Sequence, residues 1–396
     1  MASTDHTLTL TEKKTDKDLY NYQKGAIGKI FDRFGEEGKE DYHLLYQLPT
    51  GGGKTVIFSE IARQYLKNHK KKVLVMTHRI ELCKQTAAML TEFGVVNKVV
   101  NSTANLDDQS RYSCFVAMVE TLNNRLRDGK LDITDVGLVI IDEAHYNSFT
   151  KLFKYFDRAF LLGVTATPLS SNVELPMNER YDEVIVGESI PSLIENGFLS
   201  EAKNYSYNVG LTSLVVGSNG DYTVQSSDDL YTGNDMLSRL LQAYEERSKG
   251  KKTLIFNNGI NTSLYVYDTF KRAGYPIMHL DNTATKKQRR AILKWFRETP
   301  GAILTSVSIL TTGFDEPTVE TIILNRATRS LTLYYQMIGR GSRVTDTKST
   351  FNVIDLGNNF YRFGPWGEHL DWQGIFNSPK LYMENLLDDE QIESRF

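Results

Sequence analysis

Three consecutive glycines followed by a lysine and a threonine, in the string Thr50-Gly51-Gly52-Gly53-Lys54-Thr55, have the composition of a phosphate cradle. They lie between an apolar segment ending in Tyr46-Gln47-Leu48-Pro49 and an amphipathic run opening with Val56-Ile57-Phe58. Glycine lets a backbone turn its N–H groups inward around an anion, and the following helix adds its positive end. Lys54 has the reach to neutralise terminal phosphates, and the Thr55 hydroxyl can hold Mg²⁺. The usual pattern has glycine where Leu48 stands, but the core from Thr50 to Thr55 is complete. Taken alone, the string could also be a flexible turn ahead of a lysine.

A second string narrows the choice. Val136-Gly137-Leu138-Val139-Ile140-Ile141 is continuously apolar, as a strand buried on both faces must be. Asp142 and Glu143 follow it directly, and open α/β sheets bind ligands at the carboxyl ends of their strands. Asp142 is suited to hold Mg²⁺ through water, and Glu143 to orient and deprotonate an attacking water. The bland reading, two solvated surface acids, loses ground once a phosphate loop lies upstream.

Asp142-Glu143-Ala144-His145 resembles the signature of superfamily-two helicases of the DEAH-box type. Other blocks follow in that family's order. Leu19-Tyr20-Asn21-Tyr22-Gln23 resembles its adenine-reading segment, which assigns Tyr20 and Gln23 to the base. Val73 to Arg79 and Ala117 to Leu122 resemble two blocks that touch a nucleic-acid backbone, and Gly163 to Pro168 resembles the coupling motif. Thr253-Leu254-Ile255-Phe256 begins a second domain as the family does. Leu310 to Pro317, with Thr311-Thr312-Gly313-Phe314-Asp315, and Gln336 to Arg343 match the last two blocks. The likeness runs from about residue 19 to 357 and is nearest to compact DNA helicases related to RadD and XPB, a short form shared by phage helicases.

The resemblance implies two tandem RecA-like α/β domains, each a parallel sheet with helices on both faces, and an ATP cleft between them. It gives Lys54, Asp142, Glu143, Gln336, Arg340 and Arg343 catalytic roles. Thr50, Gly51, Gly52, Gly53, Lys54, Thr55, His145, Gly313 and Asp315 would hold the nucleotide, with Thr55 and Asp142 on the metal. Arg340 and Arg343, three apart on one helical face, would meet charge building on the transferring phosphoryl group. Gln336 could meet His145, and Thr165 and Thr167 would couple hydrolysis to movement. Arg79, Thr121, Thr305 and, more weakly, Asn257 would hold strand phosphates, a backbone readout without sequence preference.

Length and composition agree with this plan. The 396 residues accommodate two domains, and 40% hydrophobic residues is ordinary for a globular chain. The expected organisation is a flexible tail over 1–18 and an ATP-binding domain over 19–195. An interdomain passage over 196–245, with a small hairpin at Asn219-Gly220, leads to a second domain over 246–357 and an extension over 358–396. Phe360, Tyr361, Trp366 and Trp372 should pack that extension onto the second domain. Cys83 and Cys114 read as buried reduced thiols, and the histidines lack metal-ligand spacing. The polar N-terminus and the lack of a long apolar run point to a cytoplasmic protein. A net charge of −3 leaves room for a locally basic nucleic-acid surface. The basic run Lys286-Lys287-Gln288-Arg289-Arg290 reads as a solvated helix face rather than a contact.

The expected activity is therefore that of a monomeric, ATP- and Mg²⁺-dependent helicase or translocase acting on single-stranded or branched DNA in replication, recombination or repair. An RNA helicase and an ATP-gated recombination accessory are the alternatives. Recombination or replication proteins are the expected partners, and no membrane is. Only about 16 residues separate Pro317 from Tyr334, too few for a long strand-splitting insertion there.

Overall fold

The computed structural model describes residues 19–34, 42–101, 111–131, 133–170, 172, 174–307, 310 and 314–396. It contains two sheets flanked by helices. The strands of the first are β1 (His43–Gln47), β2 (Lys72–Thr77), β3 (Asn97–Val100), β4 (Cys114–Met118), β5 (Val136–Asp142), β6 (Phe160–Thr165) and β7 (Glu183–Val186), in the order β3-β4-β2-β5-β6-β1-β7. Its helices are α1 (Asn21–Phe34), α2 (Lys54–Asn68), α3 (Ile80–Glu92), α4 (Val119–Arg127) and α5 (Ile190–Glu195). β2 pairs in parallel with both β4 and β5, and β3 with β4. Every residue of β5 is buried, the physical reason its sequence is continuous rather than alternating.

The second sheet is built from β8 (Glu201–Ser206), β9 (Thr253–Asn257), β10 (Ile277–Leu280), β11 (Ile303–Ser306), β12 (Thr321–Asn325) and β13 (Thr350–Asp355), ordered β10-β11-β9-β12-β13-β8. All its pairings are parallel. The accompanying helices are α6 (Val224–Tyr231), α7 (Asn234–Arg247), α8 (Ile260–Arg272), α9 (Lys286–Glu298), α10 (Leu331–Ile338), α11 (Asn359–Phe363), α12 (Trp372–Asn377), α13 (Pro379–Glu384) and α14 (Asp389–Glu393).

The stretch 196–245, expected as a passage, carries ordered structure. β8 pairs along its whole length with β13. Leu237, Leu240 and Tyr244 of α7 enter a core shared with Ile255, Val266, Ile323 and Ile354. Their three- and four-residue spacing is a helical apolar stripe that polar neighbours had masked. The hairpin expected at Asn219-Gly220 is a single antiparallel bridge between Val216 and Tyr222.

By contact density the chain falls into two compact units. One takes the described residues up to Leu44, Thr55–Glu143 and Ser148–Gly163; the other takes Leu45–Lys54, Ala144–Asn147 and Val164–Phe396. Among the described residues no helix is long and apolar enough to cross a membrane. Both cysteines are buried and unbridged, as expected.

Within the second unit, the turn that leads into α10 is clamped from two sides. Asp221 accepts hydrogen bonds from Arg326 Nη2 (3.1 Å), Thr328 Oγ1 (2.8 Å) and the Arg329 amide (2.8 Å). Asn359 donates to the Arg326 carbonyl (2.9 Å) and accepts from the Thr328 amide (3.0 Å). The C-terminal aromatics pack as expected, Trp366 edge-on to Phe351 and Trp372 edge-on to Tyr335.

Beyond α10, buried Lys348 donates through Nζ to the carbonyls of Val319 (2.7 Å) and Gly341 (2.8 Å). Loss of water from the ammonium pushes its pKa down to about 8. The folded chain thus releases this proton before the unfolded chain does. The group's contribution to stability rises from pH 8 or so to the ordinary lysine value of 10.5, and is lost as pH falls back through that window. In Lys348→Met that dependence disappears. The wild-type minus variant unfolding free energy, read by urea denaturation, should grow by up to about 3 kcal/mol across the window; parallel pH profiles would contradict this.

Candidate active site

The glycine-rich loop follows β1, and its backbone from Leu45 to Lys54 belongs to the unit that also holds Arg340 and Arg343. Gly51 (φ +93°) and Gly53 (φ +86°) occupy the left-handed region that side chains avoid. A Cβ on Gly51 would come within 2.7 Å of Leu199 and 3.0 Å of Ser342 Oγ, so this position also lacks the room. Lys54 Nζ donates to the Leu48 carbonyl (3.2 Å). Thr50 Oγ1 is buried with no hydrogen-bond partner among the described residues. A lysine, an unsatisfied hydroxyl and glycines with no space for side chains fit an oxyanion such as a nucleotide phosphate.

Arg340 and Arg343, expected on one helical face, lie instead in the segment after α10 ends at Ile338, and this segment closes on the loop. Arg343 Nη1 donates to the Gly51 carbonyl (2.9 Å), and its Nε donates to Asp315 Oδ1 (2.9 Å). Arg340 Nη1 donates to the Phe314 carbonyl (2.6 Å). At Gly339 an added Cβ would lie 2.7 Å from Thr50 Cβ, so a bare backbone lets the arginine segment approach the loop. Ser200 ties in the same stretch, its hydroxyl donating to the Arg343 carbonyl (2.8 Å).

A buried chain of hydrogen bonds starts from α10. Gln336 Nε2 meets His145 Nε2 at 3.3 Å, and His145 Nδ1 meets Thr165 Oγ1 at 3.1 Å. The amide nitrogen can only donate, so the ring is assigned neutral, accepting at Nε2 and donating from Nδ1. The Thr165 hydroxyl donates a hydrogen bond to the Thr167 carbonyl (2.9 Å) and accepts one from the Thr167 amide (3.2 Å). Thr167 Oγ1 donates to Thr332 Oγ1 (2.9 Å), in the first turn of α10. The expected meeting of Gln336 with His145 is present, and Thr165 and Thr167 join the same chain. Thr332 was missed, because a threonine one turn into a helix carries no signal of its own.

In the other unit, Asp142 ends β5 and is buried, and Glu143 follows it with a φ of +56°. A glutamate in the left-handed region costs roughly 1–2 kcal/mol, and such strain gathers where side-chain direction matters for function. Thr55, in the first turn of α2, and Asp142 offer hydroxyl and carboxylate oxygens, the donor chemistry that magnesium takes. Among the described residues no group of three or more His, Cys, Asp or Glu side chains is placed to hold a metal. Magnesium does not require one, since it keeps several of its waters.

Gln23 is buried in α1 and accepts from the Tyr20 amide (3.0 Å), whereas Tyr20 is half exposed. Arg79 precedes α3 and Thr121 lies in the first turn of α4, so both follow the carboxyl ends of neighbouring strands, β2 and β4, of the first sheet. Asn257 and Thr305 are a different case. Both are buried, and Asn257 Nδ2 donates to Thr305 Oγ1 (2.9 Å) and to the Ser306 carbonyl (3.2 Å). Committed to one another, they are placed as supports beneath the surface rather than as groups exposed to a strand. Gly313 lies outside the described residues.

Comparison with known proteins adds the family. The model described as the type III restriction enzyme, res subunit, matches residues 16–170, and that of the helicase conserved C-terminal domain matches 233–345. The chain is 29% identical over 354 residues to a 51.5 kDa protein of Lactococcus phage (isolate 7-9), covering 88% of this chain and 73% of that one. It is 21% identical over 350 residues to the ATP-dependent DNA helicase uvsW of Enterobacteria phage T4, covering 85% and 67%. Among solved structures, the ATP-dependent Type ISP restriction-modification enzyme LlaBIII bound to DNA is similar in fold, with a TM-score of 0.65 and 17% identity over 92% of this chain. The chain spans 30% of LlaBIII and 51% of a relative from Saccharomyces cerevisiae.

The contact of Gly339 with Thr50 can be tested directly. Gly339→Ala should cost about 1–3 kcal/mol of unfolding free energy by overpacking, and much less when Thr50→Gly has removed the opposing Cβ. Urea denaturation of the two singles and the double variant measures this; equal costs in both backgrounds would contradict it.

Proposed function

The chain belongs to the superfamily-two helicases, with their two-domain RecA-like build, and from that premise we propose that it couples ATP hydrolysis to movement along, or remodelling of, DNA. The observation that carries the reading is the Arg343 guanidinium on the phosphate-loop carbonyl of Gly51, 2.9 Å away. An arginine at that loop supplies the positive charge that phosphoryl transfer needs and that water supplies poorly.

Each role follows from chemistry. Lys54 neutralises the β- and γ-phosphates, and the loop amides bind their oxygens. Thr55 and Asp142 would hold Mg²⁺, which would supply positive charge at the phosphates. Glu143 orients the attacking water and takes its proton. Arg340 and Arg343 stabilise charge on the transferring group, and Asp315 orients Arg343 through Nε. Tyr20 and Gln23 read the adenine.

The chain from Gln336 through His145 and Thr165 to Thr167 and Thr332 supports a coupling role. It joins His145, two residues after Glu143, to the helix that precedes the arginines. A change in nucleotide state that shifts one member disturbs the others, because Gln336, His145, Thr165 and Thr167 are buried and their polar groups are costly to leave unpaired. Arg79 and Thr121 are proposed strand contacts, on DNA rather than RNA. Support for DNA comes from the RadD-like blocks and from the likeness to a phage DNA helicase. We place the protein in the cytoplasm, working as a monomer alongside recombination or replication proteins.

The test is a steady-state ATPase assay with single-stranded, duplex, forked and four-way DNA and an RNA control. DNA should stimulate turnover more than RNA. Glu143→Gln should lower kcat by about 10²–10⁴-fold without loss of folding. Turnover indifferent to nucleic acid, or undiminished in Glu143→Gln, would contradict the reading.

A further inference from the structure

Helix α9 opens against its own dipole. Its first turn carries Lys286, Lys287 and Arg289 with no acid, where the helix field favours negative charge. A capping box between Thr285 and Gln288 secures the start. Lys287, Arg290 and Lys294 follow at three- and four-residue intervals, and Lys286 lies one turn before Arg290. These four cations therefore share a face, and all four are exposed. Among the described residues Lys286, Lys287 and Arg290 have no carboxylate partner, and Lys294 has only a loose one in Glu298 at 3.9 Å. The buried side of α9 is taken by Phe296. On a chain of net charge −3, this stripe is a local concentration rather than a share of general basicity.

A second observation concerns what lies beneath. Asn325 donates to Asn257 (2.8 Å) and Asn257 to Thr305 (2.9 Å). Thr305 meets Ser263 Oγ (2.9 Å), which meets His279 Nδ1 (2.8 Å), and His279 Nε2 meets Asp281 (3.0 Å). Asp281 then accepts from the amide and hydroxyl of Thr283 (2.8 and 2.7 Å), in the turn that enters α9. With His279 donating to the carboxylate, every link can donate in one direction, from Asn325 to Asp281. The chain crosses the carboxyl ends of β12, β9, β11 and β10 and ends by fixing the turn before the cation stripe.

We propose that Lys286, Lys287, Arg290 and Lys294 form a grip on the phosphodiester backbone of DNA, held in place by this buried chain. The inference rests on the nucleic-acid motor reading and assigns the second sheet's part of the contact. Asn257 and Thr305, expected to touch phosphates, instead hold the surface that does. The stripe is about 12 Å long at the helical rise, a distance over which a DNA strand in a duplex presents about three phosphates.

The test is the salt dependence of binding to labelled single-stranded DNA, duplex DNA and RNA, measured by anisotropy. Removing three charges in Lys287→Gln/Arg290→Gln/Lys294→Gln should reduce the slope of log K against log salt by roughly two to three and weaken binding at least about tenfold at moderate salt. Lys287→Arg/Lys294→Arg should keep the wild-type slope, and circular dichroism verifies folding of both. A wild-type slope in the triple variant would overturn the grip while leaving the motor reading intact. An equal loss in the charge-keeping variant would also overturn it. Wild-type protein that binds no nucleic acid at any salt would overturn the motor reading itself. A slope change seen with RNA alone would move the grip from DNA to RNA and overturn the proposal as stated.

Discussion

The Arg343 guanidinium joins two segments 292 positions apart in sequence, donating to the carbonyl of Gly51 while Asp315 holds its other side. That contact requires a close approach of two backbones. Gly51 and Gly339 permit it, since a Cβ at either would sit 2.7 Å from its neighbour. Lys348 stabilises the approach from behind by tying Gly341 to Val319. A glycine-rich loop and a guanidinium are thereby held side by side.

The rest of the second unit can be understood as a means of keeping α10 in register. Asp221 and Asn359 clamp the turn before it, and Thr332 in its first turn meets Thr167. Gln336 then reaches the His145 ring, whose other nitrogen engages Thr165. His145 and the position of α10 are thus linked by hydrogen bonds whose groups are mostly buried and costly to leave unmade. The same device, a buried directional chain ending at a surface element, recurs between Asn325 and Asp281 under α9. In both places polar groups inside the protein fix the position of charged groups outside.

The parts legible in the sequence were those whose chemistry is carried by consecutive residues. Gly51 to Thr55 and Asp142 to His145 declare themselves because a phosphate loop and a strand-end acid pair need fixed local order. The pairing of Gln336 with His145 followed from the resemblance. Less visible were features that depend on long-range packing. Nothing local marks Asp221 as the clamp of a turn more than a hundred residues away, nor Lys348 as a buried bridge. β8 is mostly exposed and polar, so its place at the edge of the second sheet gave no periodic signal. Asn257 and Thr305 sit where the family pattern puts strand contacts, but burial is a property of the fold, and it turned both inward.

The most direct measurement of the central claim is the DNA-stimulated ATPase activity of Arg343→Ala at saturating ATP. If the Gly51-bound guanidinium supplies charge to the transition state, kcat should fall by about 10³-fold or more, with a much smaller change in the KM for ATP. A variant that turns over at the wild-type rate would contradict the account, because the contact on which the rest of the structure converges would then have no part in the chemistry.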